Sequence, residues 1–185
     1  MFSGDTHLIS AENLKIVSTT LYKGSFNGTF RSCTNLQKAP DLSIPTTLGQ
    51  ETYSSMFEGC TSLSQPPSVL SATTAQLSSY KRMFCMARSG SVTAQMTKSP
   101  IMIGNFGSET SVAKDFEVFK GNGSLTEVKC FWTNDSGSFS SLAQWMTNVS
   151  SSGTFYKRST QTFTLNSDSG IRSGWDIVND DTIGN

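Results

Sequence analysis

Four cysteines, one histidine and a pair of adjacent aspartates are the side chains of this 185-residue sequence best suited to chemistry. A thiolate can attack a carbonyl or ligate zinc, an imidazole can pass a proton, and two carboxylates can share acid and base work across a glycosidic bond. Each use demands a spacing. Zinc needs closely spaced Cys or His pairs, but the chain has no Cys-x-x-Cys and His7 stands alone. Asp180 and Asp181 sit in a polar tail without a cleft signal around them. Gly121-x-Gly123 falls at the corner of a repeat, not in a phosphate-binding loop. The expectation is a chain with no catalytic residue, no metal and no cofactor.

The cysteines lead to the repeat. Cys33 and Cys60 occupy one position in two segments that superpose without a gap at an offset of 27, Thr29-Phe30-Arg31-Ser32-Cys33-Thr34-Asn35-Leu36 and Met56-Phe57-Glu58-Gly59-Cys60-Thr61-Ser62-Leu63. Phe30, Phe57 and Phe84 keep this step, and so do the pairs Thr19-Thr20, Thr46-Thr47 and Thr73-Thr74 before them. Two degenerate copies keep the six-residue step from Phe to Leu, at Phe2 to Leu8 and Phe119 to Leu125. An insertion near residues 85–110 lengthens the fourth copy, and its Pro100, Gly104 and Gly107 suit a turn-rich surface excursion. His7 falls where Asn35 and Ser62 stand in other copies and reads as a solvent-facing filler.

The cysteine position is otherwise held by Asp5, Ala87 and Asn122, small or turn-forming residues, so a reduced, buried thiol filling a tight corner is expected. Stacked equivalents would lie ~5 Å apart, which keeps a Cys33–Cys60 disulfide within geometric reach. Cys85 and Cys130 occupy different repeat positions and have no evident partner.

Positioning these residues falls to short elements. Phe26, Tyr53 and Tyr80 stand four residues before Phe30, Phe57 and Phe84, the spacing of one face of a helix of one to two turns, with Gly59 as its stop. Extended runs follow at Leu36 to Leu42, Leu63 to Val69 and Leu125 to Phe131, with Pro40, Pro66 and Pro67 restricting how widely they pair. No unit of this size buries its own apolar face, so neighbours must stack and share a core.

Charged residues are only 15% of the chain, and 14 basic side chains balance 14 acidic ones. That leaves no electrostatic footprint for nucleic acid or an anionic membrane. No apolar run approaches the ~20 residues of a bilayer span, and the first residues lack the basic and apolar regions of a signal peptide. Trp132, Trp145 and Trp175 all lie in the last third, where Phe139, Leu142, Trp145 and Met146 have the spacing of one helical face. They read as a cap over the last repeat, with a helix near 138–147 and strands near 154–157 and 174–178.

The pattern Met-Phe-x-Gly-Cys-Thr-Ser-Leu, preceded by Thr-Thr-Leu and an aromatic, resembles the BspA-like leucine-rich repeats of Bacteroidetes surface proteins over residues 1–131. The tail is similar to the module that closes such repeats, at 149–157 and 169–175, with Arg172 where that module usually has proline. The resemblance implies an α/β leucine-rich-repeat solenoid, carried on cell-surface or phage virion proteins and used to bind protein or glycan. It implies no catalytic residues.

The sequence is therefore expected to form a right-handed solenoid of about five repeats over residues 1–131 and a capping module over 132–185. Alternation along the extended runs puts Gln37, Lys38 and Asp41, then Ser64, Gln65 and Ser68, then Glu127 and Lys129 on the exposed strand face as the ligand-binding rows. The parent protein is expected outside the cell or on its surface, with a structural or receptor-binding module of a phage particle as the alternative. The first copy lacks the upstream half of a repeat. This suggests a fragment whose uncapped end offers a route to oligomers, with Phe2 and Leu8 less buried than Phe57 and Leu63.

Overall fold

The computed structural model describes residues 1–106, 116–133, 144–165 and 170–183. Among them there is no helix, and the regular structure consists of eight short strands: β1 (Thr20–Leu21), β2 (Thr47–Leu48), β3 (Val69–Leu70), β4 (Thr74–Ala75), β5 (Lys98–Met102), β6 (Glu127–Cys130), β7 (Gly153–Lys157) and β8 (Trp175–Asn179). Every pairing is parallel. One sheet has the order β1-β2-β4 and the other β3-β5-β6-β7-β8. Register follows the repeat: Thr20, Thr47 and Thr74 are successive partners, and Leu21 and Leu48 beside them turn into the core. Each stretch of the chain from one such pairing to the next is called a rung below.

The extended runs after the repeat Phe pair sparingly. Lys38 bridges Ser10 on one side and Gln65 on the other, and Leu36 to Leu42 forms no longer strand. Pro40, Pro66 and Pro67 lack the N–H that a wider ladder would use. The run beginning at Leu125 pairs more fully, as β6.

The short helices expected around Tyr53 and Phe57 are replaced by overlapping turns. The N–H groups of Thr52, Ser54, Met56, Glu58 and Cys60 each donate to the carbonyl three residues back, at 3.1–3.3 Å. The intervening N–H groups of Glu51, Tyr53, Ser55, Phe57 and Gly59 donate sideways to Leu77, Ser79, Lys81, Met83 and Cys85 of the next rung, at 2.8–3.0 Å. A helix would have spent those donors on itself. The turns place a positive φ at every fourth residue, at Gly24, Gly28 and Ser32, then Glu51, Ser55 and Gly59, then Ser78 and Arg82. A positive φ at the third position is the signature of a type II turn. Because the turns also repeat every four residues, Tyr53 and Phe57 share a face, as they would on a helix.

That face builds the core. The rings of Phe2, Phe30, Phe57, Phe84 and Phe119 stack in sequence with centroids 5.5–5.8 Å apart and planes within 9° of parallel. Phe57 and Leu63 are fully buried, whereas Phe2 and Leu8 are only half-buried, as expected from the sequence. A second column runs from Phe26 through Tyr53 and Tyr80 to Trp132 and Phe106.

The long fourth copy departs from the reading of a surface excursion. Residues 98–102 of the insertion form β5, the second strand of the larger sheet, paired on both sides, and Pro100 is buried there. The register shifts between Lys98 and Ile101, and the Lys129 N–H donates to the Ser99 hydroxyl at 2.9 Å. A serine hydroxyl thus takes a ladder bond at the bulge around a proline.

Stacking continues beyond residue 131. β7 and β8 occur where strands were expected, and β6 to β8 stay in one parallel sheet. The helix expected near 138–147 is corrected where residues are described: 144–148 are turns, and Gln144 and Asn148 repeat the positive φ of Glu117 and Gly121. Phe139 and Leu142 lie outside the described residues. Met146 follows Phe119 in the Phe column's register, since the Phe119 N–H donates to Trp145 O as the Phe57 N–H does to Met83 O.

Candidate functional site

Parallel pairing sets side chains of successive rungs side by side on the sheet's outer face. Ser10, Lys38 and Gln65 form the first row by their bridges, and Lys98, Glu127, Thr154 and Asp176 form its counterpart across β5 to β8. Gln37, Asp41, Ser64, Gln65 and Ser68 are exposed, while Lys38, Glu127 and Lys129 are half-buried. The structure brings Lys38 beside Gln65 and Glu127 beside Lys129. β5 lies between these two groups: β3, in the rung of Ser64 to Ser68, pairs with β5, and β5 pairs with β6.

Several of these side chains are already engaged. The Lys38 ammonium pairs with Glu12 at 3.0 Å, and the Asp41 carboxylate accepts from the Ser43 N–H and hydroxyl at 2.9 Å each. Asp41 therefore closes a local turn. Glu127 holds Lys98 at 3.4 Å and Lys129 at 3.8 Å, and the Lys129 ammonium stands 5.3 Å from the centre of the Tyr156 ring. This β5–β7 cluster offers two cations, a carboxylate and an aromatic face in one place. Such a mixture suits a partner with hydroxyls and apolar edges better than a polyanion.

No protein-family model, curated protein or solved structure matches the chain.

The other chemical candidates are dispersed. His7 has a side chain 96% exposed, 3.8 Å from Asp5. Asp180 is tied into a turn by the Thr182 N–H and hydroxyl, and these bonds hold its carboxyl below the usual range. Among the described residues no three His, Cys, Asp or Glu side chains group so as to hold a metal ion. Nor is any helix there long and apolar enough to cross a membrane.

All four cysteines are free and buried, as their repeat position suggests for Cys33 and Cys60. The Cys33 thiol donates to Phe2 O and the Cys60 thiol to Phe30 O, both at 2.9 Å, so each seals a corner against the rung before it. Burial pushes the Cys60, Cys85 and Cys130 thiols up to about 12. They are poor nucleophiles. The tryptophans are buried too: Trp145 stacks on Phe163 and donates to Gly170 O, and Trp175 donates to Ser150 O. They are core residues with no face to offer a ligand.

Sequence reasoning missed two features. Tyr156 and Lys98 belong to the strand face, and Tyr156 was legible as the outward neighbour of Phe155 by simple alternation. On the turn side, the nearly buried Glu117 carboxylate meets the Arg82 guanidinium at 2.5 Å and also the Lys120 ammonium, which itself reaches Gln144 at 2.7 Å. Glu58, also buried, pairs with Arg88 at 2.5 Å. The network links four successive rungs, and the 35-residue step from Arg82 to Glu117 hid it.

Proposed function

We propose that the chain is a leucine-rich-repeat solenoid of the BspA-like type, a non-catalytic module that binds a protein or glycan at a cell surface. The observation that carries this reading is the continuity of the outer strand face, where parallel rungs align Lys38 with Gln65 and, further along, Lys98, Glu127, Thr154 and Asp176. Such a face recognises extended partners through many weak contacts, and no contact need be strong alone. The buried, high-pKa thiols, unsuited to nucleophilic attack, support binding over thiol catalysis. A bacterial surface location follows from the sequence resemblance.

The binding part is centred on Lys98, Glu127, Lys129 and Tyr156. There an aromatic face can stack on a sugar ring or an apolar side chain while the charged groups hydrogen-bond around it. The test is a glycan array and a panel of matrix proteins probed with the purified chain. Tyr156→Ala and Lys129→Ala are expected to remove the signal, and Lys23→Ala, on the turn side, to keep it. Binding indifferent to Tyr156 and Lys129 would refute the assignment of the face.

A further inference from the structure

Strands β5, β6 and β7 are each paired on both sides, so their outer face owes nothing to an edge of the sheet. Register sorts that face into two lines that cross the strands. Lys98, Glu127 and Thr154 form a polar line, and Val69, Ile101, Lys129 and Tyr156 run beside it, apolar except at Lys129. Lys98 is exposed and the others are half-buried.

Glu127 lies between two ammoniums, with Lys98 3.4 Å from one carboxylate oxygen and Lys129 3.8 Å from the other. Both contacts are ion pairs without a hydrogen bond, and among the described residues neither ammonium donates to another acceptor. The Glu127 side chain is 23% exposed against 67% for Lys98, so a ligand approaching the face meets a cation before the acid. Asp180, which senses Lys129, is held in its own turn by the Thr182 N–H and hydroxyl. The Lys98 and Lys129 donors therefore stay available, with the Tyr156 ring 5.3 Å from the Lys129 ammonium.

A partner laid across these strands advances ~4.8 Å per rung, whereas an extended peptide rises ~3.3 Å per residue and falls out of step within a rung or two. A β-linked pyranose chain is built of rigid rings, each about as long as the rung spacing, with an apolar C–H face and hydroxyls around the edge. We propose, on the reading of this face as the binding surface, that its ligand is a glycan with one carboxylated sugar among neutral ones. The uronate ring lies on Tyr156, its carboxylate takes N–H donors from Lys129 and Lys98, and hydroxyls of the adjoining neutral sugar donate to Glu127. Charge complementarity selects the single carboxylate. A neutral chain offers the two ammoniums acceptors no better than water, and a chain charged at every ring sets a second carboxylate against Glu127, where like charges repel.

The test compares two probes by calorimetric titration of the intact chain: a β-1,4-linked glucose tetrasaccharide ending in one glucuronate, and the same tetrasaccharide with that carboxylate reduced to the alcohol. The acid form should bind at least tenfold tighter, and the difference should shrink as salt is raised. Lys129→Gln should remove the preference and leave binding of the reduced form, whereas Tyr156→Ala should weaken both forms alike, with near-ultraviolet dichroism confirming that each variant is folded. Equal affinity for the two forms, both lowered by Tyr156→Ala, overturns the acidic ligand and leaves the strand face as the binding surface. So does the absence of saturable binding of either sugar at millimolar concentration while a matrix protein binds in a Tyr156-dependent way, since a polypeptide would then be the occupant. Acid-form binding indifferent to both Lys129→Gln and Tyr156→Ala overturns the proposal together with the reading of the face.

Discussion

The rings of Phe57 and Phe84 lie 5.5 Å apart and 7° from parallel, 27 residues apart in sequence and both without solvent exposure. This spacing is wider than the ~4.8 Å between paired backbones, so the rings slide into an offset stack. Truncating Phe57 removes contacts to the rungs on both sides at once. Phe57→Ala should destabilise the chain by about 3–5 kcal/mol, and Phe57→Leu by distinctly less. Urea unfolding followed by tryptophan fluorescence measures both.

The turn ladder predicts an unusual stability pattern. Glu51 is a non-glycine residue at a φ of 59°, where the rung before it has Gly24. Glu51→Gly should stabilise by up to about 1 kcal/mol, and Gly59→Ala, at a φ of 74° with no contact tighter than 3.6 Å, should destabilise by a similar amount. Thermal unfolding of the two single variants should move Tm in opposite directions. In a helix, both signs would reverse, because glycine is the poorer helix former.

How far the sequence carries is clearest at these residues. Phe30, Phe57 and Phe84 announced the register, the buried column and the fate of the cysteine position, because a core built by repetition leaves its period in the chain. The local conformation between Gly49 and Cys60 was not legible. A period of four aromatics is common to a helix and to tandem turns, and only the destination of alternate N–H groups separates them. The positive-φ positions held a clue, since Gly24, Gly28 and Gly59 recur at steps of four once aligned, but Glu51, Ser55 and Arg82 at the equivalent sites obscured it. Of the residues expected on the exposed strand face, Gln37, Asp41, Ser64, Gln65 and Ser68 are exposed, and Lys38, Glu127 and Lys129 are half-buried. The cluster at Lys98, Glu127, Lys129 and Tyr156 needed the registers of β5 to β7, which a bulge at Pro100 shifts.

The thiols should be silent in the folded chain. Titration with a thiol reagent at pH 8 is expected to find no rapidly reacting group in the native protein and all four on denaturation without reductant. Burial keeps Cys60, Cys85 and Cys130 protonated to about pH 12, so unfolded thiols ionise first as pH rises past their ordinary 9.0. The unfolded state then binds fewer protons, and stability should fall above that pH. Recovery of two or no thiols from the denatured chain would instead establish a disulfide.

Acid should open the turn side. Burial works against ionisation of Glu117, but hydrogen bonds from Lys120 and Arg82 outweigh it and hold the carboxyl below its ordinary 4.5; Glu58 behaves likewise, through Arg88 and Ser55. A depressed carboxyl stabilises the fold above the unfolded pKa, and that contribution is lost as pH falls below 4.5 through the folded value. Glu117→Gln leaves two cations facing a neutral amide and should cost about 3 kcal/mol at pH 7, and the acid sensitivity should flatten in the variant. Urea midpoints at pH 7 and pH 3 for both proteins provide the check.

The claim that the outer strand face binds the partner is tested most directly by measuring the dissociation constant of the first ligand captured on the glycan or matrix panel. It should be compared across the wild type, Tyr156→Ala, Lys98→Ala and the turn-side Lys23→Ala. The account predicts a loss of at least tenfold for Tyr156→Ala, about 1.4 kcal/mol or more, a smaller loss for Lys98→Ala and an unchanged constant for Lys23→Ala. Equal affinity for the wild type and both strand-face variants, with all proteins folded, would contradict it.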